Sequence, residues 1–193
     1  MELGEIWGLV TAVALGIGLA ATAGLRAWLP LLLAGGLARL GVLELGEAFG
    51  FVSSTPALVL FGVATIAEIV ADKVPAIDHA LDVISTVVRP AAGALLAASA
   101  LYQVKDPLVA LVIGLCVGAP VALGPHAAKS ALRAASSATT AGIANPLVSF
   151  VEDALAIGLF IAVVILPVIS VAVLATVIWL LVRRRRKAAP AAA

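Results

Sequence analysis

Long apolar runs, each closed by a proline, a glycine or a small knot of charge, constrain this chain more than any single motif does. A helix needs about 20 mainly apolar residues to cross the hydrocarbon core of a bilayer, and roughly six or seven stretches of that kind can be counted. With 63% hydrophobic and only 12% charged residues among 193, and a mean hydropathy of +1.20, the chain lies outside the range of soluble globular proteins. The expected fold class is all-α: a polytopic membrane helical bundle of about 6–7 spanning or re-entrant helices with Pro/Gly breaks. One transmembrane domain is expected over residues 1–182, followed by a basic cytoplasmic tail at 183–193.

The joints follow from local chemistry. A first span reads from Trp7 to Gly24 and a second from Gly24 to Gly41. Pro30 clashes with the carbonyl four residues earlier, so a kink or break is expected near Arg26. Val42–Thr55 reads as a polar loop ending in an N-cap at Ser53, Ser54 or Thr55, with Pro56 in the first turn of a helix running to Ala71. After a Lys73–Pro75 break, Ala76–Val88 reads as a short amphipathic segment, which Pro90 separates from a small-residue span, Ala91–Val104. Lys105-Asp106-Pro107 is a tight turn, and the next span, Pro107–Leu123, is expected to be interrupted at Gly118 and Pro120 and closed by Gly124-Pro125. A second polar region covers His126–Asn145, Asn145-Pro146 starts another helix, and the last span covers Leu155–Val182 or is divided at Pro167.

The formal net charge of +1 hides an asymmetry, because five of the twelve basic residues form the run Arg183–Lys187. Basic residues beside spans stay cytoplasmic, so this run places the C-terminus inside a cytoplasmic (inner) membrane. The acidic N-terminus lacks the basic n-region of a secretory signal and reads as a retained first helix. Cys116 excludes an intramolecular disulfide and, in its apolar run, reads as a buried inert thiol.

Ionisable groups inside apolar helices are costly unless they face a partner or water. Glu68, Glu152 and Asp153 fit that description, and Glu68 and Asp72 are four apart and share a helix face. With Arg26 and Lys73 these residues form the candidate transport or binding path, although Asp72 and Lys73 equally suit a helix end at the headgroups. Asp78 and Asp82, also four apart with His79 beside them, can point two carboxylates at one divalent cation, or simply form the solvated face of an interfacial helix. His126, Lys129 and Arg133 share a face that can contact phosphate on a lipid headgroup or an anionic substrate. No phosphate loop, nucleophile elbow or HExxH motif is present.

The halves 1–104 and 105–182 echo one another. GLRAWLP parallels GPHAAKSALRA and SSTPALVLF parallels IANPLVSF, each leading to carboxylates in an apolar helix. Repeats with broken helices recur in secondary transporters, although an Ala/Leu/Val-rich composition also produces such matches.

GLRAWLP (Gly24–Pro30), ADKVPAIDHALD (Ala71–Asp82), VRPAAGAL (Val88–Leu95) and NPLVSFVED (Asn145–Asp153) together make the chain resemble the bacterial membrane family called domain of unknown function 4126. The resemblance implies an integral membrane protein and carries no activity. The leading expectation is a small transporter or channel-like protein for an ion or small solute. A metal-dependent enzyme acting on a lipid phosphate and a non-catalytic lipid-organising scaffold are the alternatives. No cofactor is expected beyond a divalent metal or coupling ion. The bilayer is the first partner, Gly/Ala-rich faces allow a homo-oligomer, and no nucleic-acid partner is expected.

Overall fold

The computed structural model describes residues 2–72, 75–140 and 143–167, with the backbone alone over 75–83, and beyond them positions 169, 172, 176, 179 and 183. Its helices in chain order are α1 (Leu3–Leu25), α2 (Trp28–Arg39), α3 (Thr55–Ala71), α4 (Pro75–Ala100), α5 (Pro107–Ile113), α6 (Ala119–Thr140) and α7 (Asn145–Ile165). A 3₁₀ helix, Glu47–Ser53, precedes α3, and a π turn, Gly114–Gly118, joins α5 to α6. No strand occurs among the described residues.

Several ends fall where local chemistry places them. The chain leaves the helix at Arg26, where Pro30 denies the carbonyl its space, and re-enters at Trp28. α2 closes in a Schellman motif: Gly41, at φ +71°, donates to Ala38, and Val42 donates to Leu37. Ser54 caps α3 through Ala57 N–H, and Asp106 caps α5 through Leu108 and Val109, each with Pro in the first turn.

Other expected breaks are absent. α4 runs unbroken through Pro90, so the amphipathic segment and the small-residue span are one helix. Gly124-Pro125 likewise lies inside α6, and Glu152-Asp153 and Leu155 share a single α7 that ends at Ile165, two residues before Pro167. Inside a bundle, packing from neighbouring helices tolerates the hydrogen bond a proline removes. Pro120 leaves its mark differently: it cannot donate to Cys116, and the π turn widens the register just ahead of it. Cys116, on that turn, is exposed rather than buried.

Small residues set the packing of α1, α4 and the α5–α6 rod. A Cβ added to Gly93 on α4 would lie 2.6 Å from Ala122 Cβ and 2.8 Å from the carbonyl oxygen of Gly118. Gly24 on α1 meets the backbone of Ala122 in the same way. Backbones therefore touch where these three helices cross, as expected of association between helices in lipid.

The outer surface inverts the soluble pattern. On α3, Val59, Val63, Ile66 and Val70 are exposed while Phe61, Thr65, Glu68 and the adjoining Asp72 are buried. α7 repeats it, with Leu147, Phe150, Val151 and Leu155 outside and Asn145, Ser149 and Glu152 inside. An apolar exterior around polar groups suits a bilayer and would be unstable in water. Among the described residues, three helices are long and apolar enough to cross a membrane: Leu3–Leu25, Pro107–Thr140 and Asn145–Ile165. The count rises to four if the 3₁₀ helix and α3, which meet at 56°, form one span. The protein is a membrane-embedded helical bundle.

Gly118→Leu is predicted to push α4 away from the π turn and to lower stability by about 1–3 kcal/mol, the usual scale of overpacking. Denaturation of the protein in detergent micelles measures it, and unchanged stability would show that the helices do not cross there.

Candidate functional site

Charge collects around the break between α1 and α2. Helix ends leave unpaired carbonyls at the C-terminus and unpaired N–H groups at the N-terminus, with partial charges to match. Arg89, from α4, donates to the carbonyl of Gly24 at 2.8 Å and so meets the closing end of α1. Glu68, from α3, accepts from Ala27 N at 3.2 Å and Trp28 N at 3.4 Å at the opening end of α2. The two side chains pair with each other at 3.3 Å. One ion pair thereby serves both ends of the interrupted helix, cation on the negative end and carboxylate on the positive one.

A second, larger set lies alongside. Arg26 reaches Asp72 at the end of α3 and both Asp153 and Ser149 on α7, the last at 3.1 Å. α6 brings its basic stripe inward, because His126, Lys129 and Arg133 fall on the buried face that also carries Ala122. Lys129 spans Asp72 at 2.9 Å and Glu152 at 3.2 Å. Arg133 spans the same two carboxylates at 3.1 and 2.9 Å. His126 lies with Nε2 3.3 Å from the Thr86 hydroxyl of α4.

Four cations (Arg26, Arg89, Lys129, Arg133) thus face four carboxylates (Glu68, Asp72, Glu152, Asp153), a formal sum of zero. Such balance is what a buried charge requires, since an uncompensated ion in a low-dielectric interior costs several kcal/mol. Asp153 is the least enclosed, with its side chain 18% exposed against 8% or less for the other seven. Two arginine Nε atoms, of Arg26 and Arg89, and the Thr65 hydroxyl are buried without a hydrogen-bond partner.

The residues proposed from sequence separate cleanly. Arg26, Glu68, Asp72, Glu152 and Asp153 do converge, and Asp72, which closes α3 as expected of a helix end, is buried in the bundle. His126, Lys129 and Arg133 do share one face of α6, and Lys129 and Arg133 join the same cluster. Lys73 and the side chains of Asp78, His79 and Asp82 lie outside the described residues. Glu152 is paired with Lys129 and Arg133. Among the described residues, no group of three or more His, Cys, Asp or Glu is placed to hold a metal ion. Arg89, Ser149 and Thr65 were not legible as site residues. In sequence Arg89 adjoins Pro90, where a break is expected, and the signal for it is the full charge within the apolar VVRPAAGAL.

A separate pocket of about 320 Å³ lies at the loop end of the bundle, lined by Glu47, Phe49, Tyr102, Gln103 and Lys105 among others. It shares no residue with the charged cluster.

The family model called domain of unknown function 4126 matches residues 13–187. The chain belongs to that family. No curated protein and no solved structure matches it. The match takes in every member of the cluster, from Arg26 to Asp153, and adds no activity to the geometry.

Arg89→Leu is predicted to cost about 3–5 kcal/mol, because it strands Glu68 as a buried charge beside an uncapped helix end. Adding Glu68→Gln, which keeps an acceptor for Ala27 and Trp28, should recover a large part of that loss. Denaturation of the single and double variants in micelles measures both, and a double variant that loses the full sum would contradict the pairing.

Proposed function

We propose that the protein is a small membrane transporter for an ion or small solute, and that the charged cluster is where its path closes. The observation that carries this reading is the sharing of partners. Asp72 serves Arg26, Lys129 and Arg133, while Lys129 and Arg133 each serve both Asp72 and Glu152. An ion pair with one partner on each side can only be broken, at the cost of a bare buried charge. A cluster with shared partners can trade contacts and stay neutral, which gives helices two arrangements of comparable energy.

Two further features support transport. Ionisable groups facing the interior of a membrane bundle commonly mark ion and substrate paths. Discontinuous helices whose ends meet charges are a recurring device of secondary transporters, and the α1–α2 break has charged partners at both ends. The cluster lies where the halves 1–104 and 105–182 meet: Arg26 of the first reaches Asp153 of the second, and Lys129 and Arg133 of the second reach Asp72 of the first. In this reading the Arg183–Lys187 run holds the C-terminus on the cytoplasmic side of a cytoplasmic membrane.

A non-catalytic scaffold is the second reading, favoured by the fact that each of the eight charges has a partner of opposite sign. Flux separates the two. Purified protein in liposomes should pass protons, alkali cations or small anions faster than protein-free liposomes do. Glu152→Gln and Lys129→Met, with helicity intact by circular dichroism, should lower that rate at least tenfold. Flux that never exceeds the protein-free control, or that neither substitution changes, would leave the scaffold reading in its place.

A further inference from the structure

At Asp72 one carboxylate oxygen meets more cationic groups than it has lone pairs. A carboxylate oxygen carries about two lone pairs. Oδ2 of Asp72 nevertheless takes three cationic groups: Nη1 of Arg26, Nζ of Lys129 at 2.9 Å and Nη2 of Arg133 at 3.1 Å. At the same time Nε of Arg26 and Nε of Arg89 are buried with no acceptor, on side chains that are 0% and 1% exposed. One oxygen is crowded while fixed donors of the same cluster go unserved.

A tetrahedral oxyanion resolves that mismatch, because it spreads several acceptor oxygens where Asp72 presents one. Guanidinium groups suit it in particular, since their forked N–H geometry matches phosphate oxygens in pairs, with a lysine adding a point charge. We propose that Arg26, Lys129 and Arg133, backed by Arg89, form a seat for a phosphate-class oxyanion, and that Asp72 is the internal carboxylate with which that anion exchanges. This names the substrate class of the transport reading and rests on it. Asp153, itself a partner of Arg26, is the most exposed of the eight groups.

Charge balance fixes what accompanies the exchange. The cluster is neutral with Asp72 ionised, so an arriving monoanion leaves it neutral only if one carboxylate takes up a proton. Asp72 is that carboxylate, because its cations pass to the anion. Each bound monoanion is therefore accompanied by one proton taken up with it from bulk solution, so that cluster and solution both keep their charge.

Asp72→Asn imitates the protonated carboxyl and is the direct test. The full-length protein is placed in nanodiscs of zwitterionic lipid, and inorganic phosphate is titrated calorimetrically against potassium chloride at equal ionic strength. Phosphate should bind Asp72→Asn at least tenfold more tightly than wild type, and adding Lys129→Met should remove at least tenfold of that affinity. If Asp72→Asn does not fold, Asp153→Asn takes its place with the same expected signs. Absence of phosphate binding above the chloride control in the folded variant would overturn the proposal. A second arm adds phosphatidylglycerol to the discs: stabilisation by that lipid, with inorganic phosphate binding nothing further, assigns the seat to a lipid phosphate rather than a free one. Phosphate binding without flux would remove the transport reading and leave the seat, whereas flux of another ion without phosphate binding would do the reverse.

Discussion

Three cations meeting on the Asp72 carboxylate tie the ends of α1 and α3 to α6. Arg26 belongs to the end of α1, Asp72 to the end of α3, and Lys129 and Arg133 to α6, which in turn reach Glu152 on α7. In a bilayer there is little hydrophobic drive to bring helices together, since lipid tails are as apolar as leucine. A buried ion pair is no dependable source of stability in itself, because desolvation offsets the attraction. It does dictate arrangement: only the placement that brings all eight charges together leaves none of them bare.

The rest of the bundle answers to that requirement. Small residues let α1, α4 and the α5–α6 rod approach until backbones touch at Gly24, Gly93 and Gly118, which keeps the long Arg and Lys side chains within reach of their partners. The break at Arg26 turns a liability into a fixture. Interrupting a helix in the bundle exposes backbone polar groups that lipid cannot satisfy, and Arg89 and Glu68 meet both ends while pairing with each other. α3 and α7 then turn their carboxylates in and their valines, leucines and isoleucines out.

Composition alone disclosed the membrane bundle, and the cost of charge in apolar surroundings pointed to Arg26, Glu68, Asp72, Glu152 and Asp153. Ends marked by two agreeing signals were also legible, as at Ser54-Pro56, Asp106-Pro107 and Gly41. Proline read alone misled. Pro90 and Pro125 lie within long helices, where neighbouring helices decide whether a lost hydrogen bond matters, and sequence spacing does not report those neighbours. The same misreading hid Arg89. The inward direction of Lys129 and Arg133 was equally out of reach, since a polar stripe on an apolar helix faces water in a soluble protein and the interior in a membrane one.

Charges far apart in sequence act here as one buried unit, and a double-mutant cycle on Arg26→Met and Asp72→Asn measures that coupling. Stability is measured by denaturation in detergent micelles for wild type, each single variant and the double. Each single substitution is predicted to cost about 3–5 kcal/mol, the usual result of stranding a buried partner, and the double to cost well under the sum. Losses that add to within about 0.5 kcal/mol would mean that the two residues do not share a cluster, and would contradict the account.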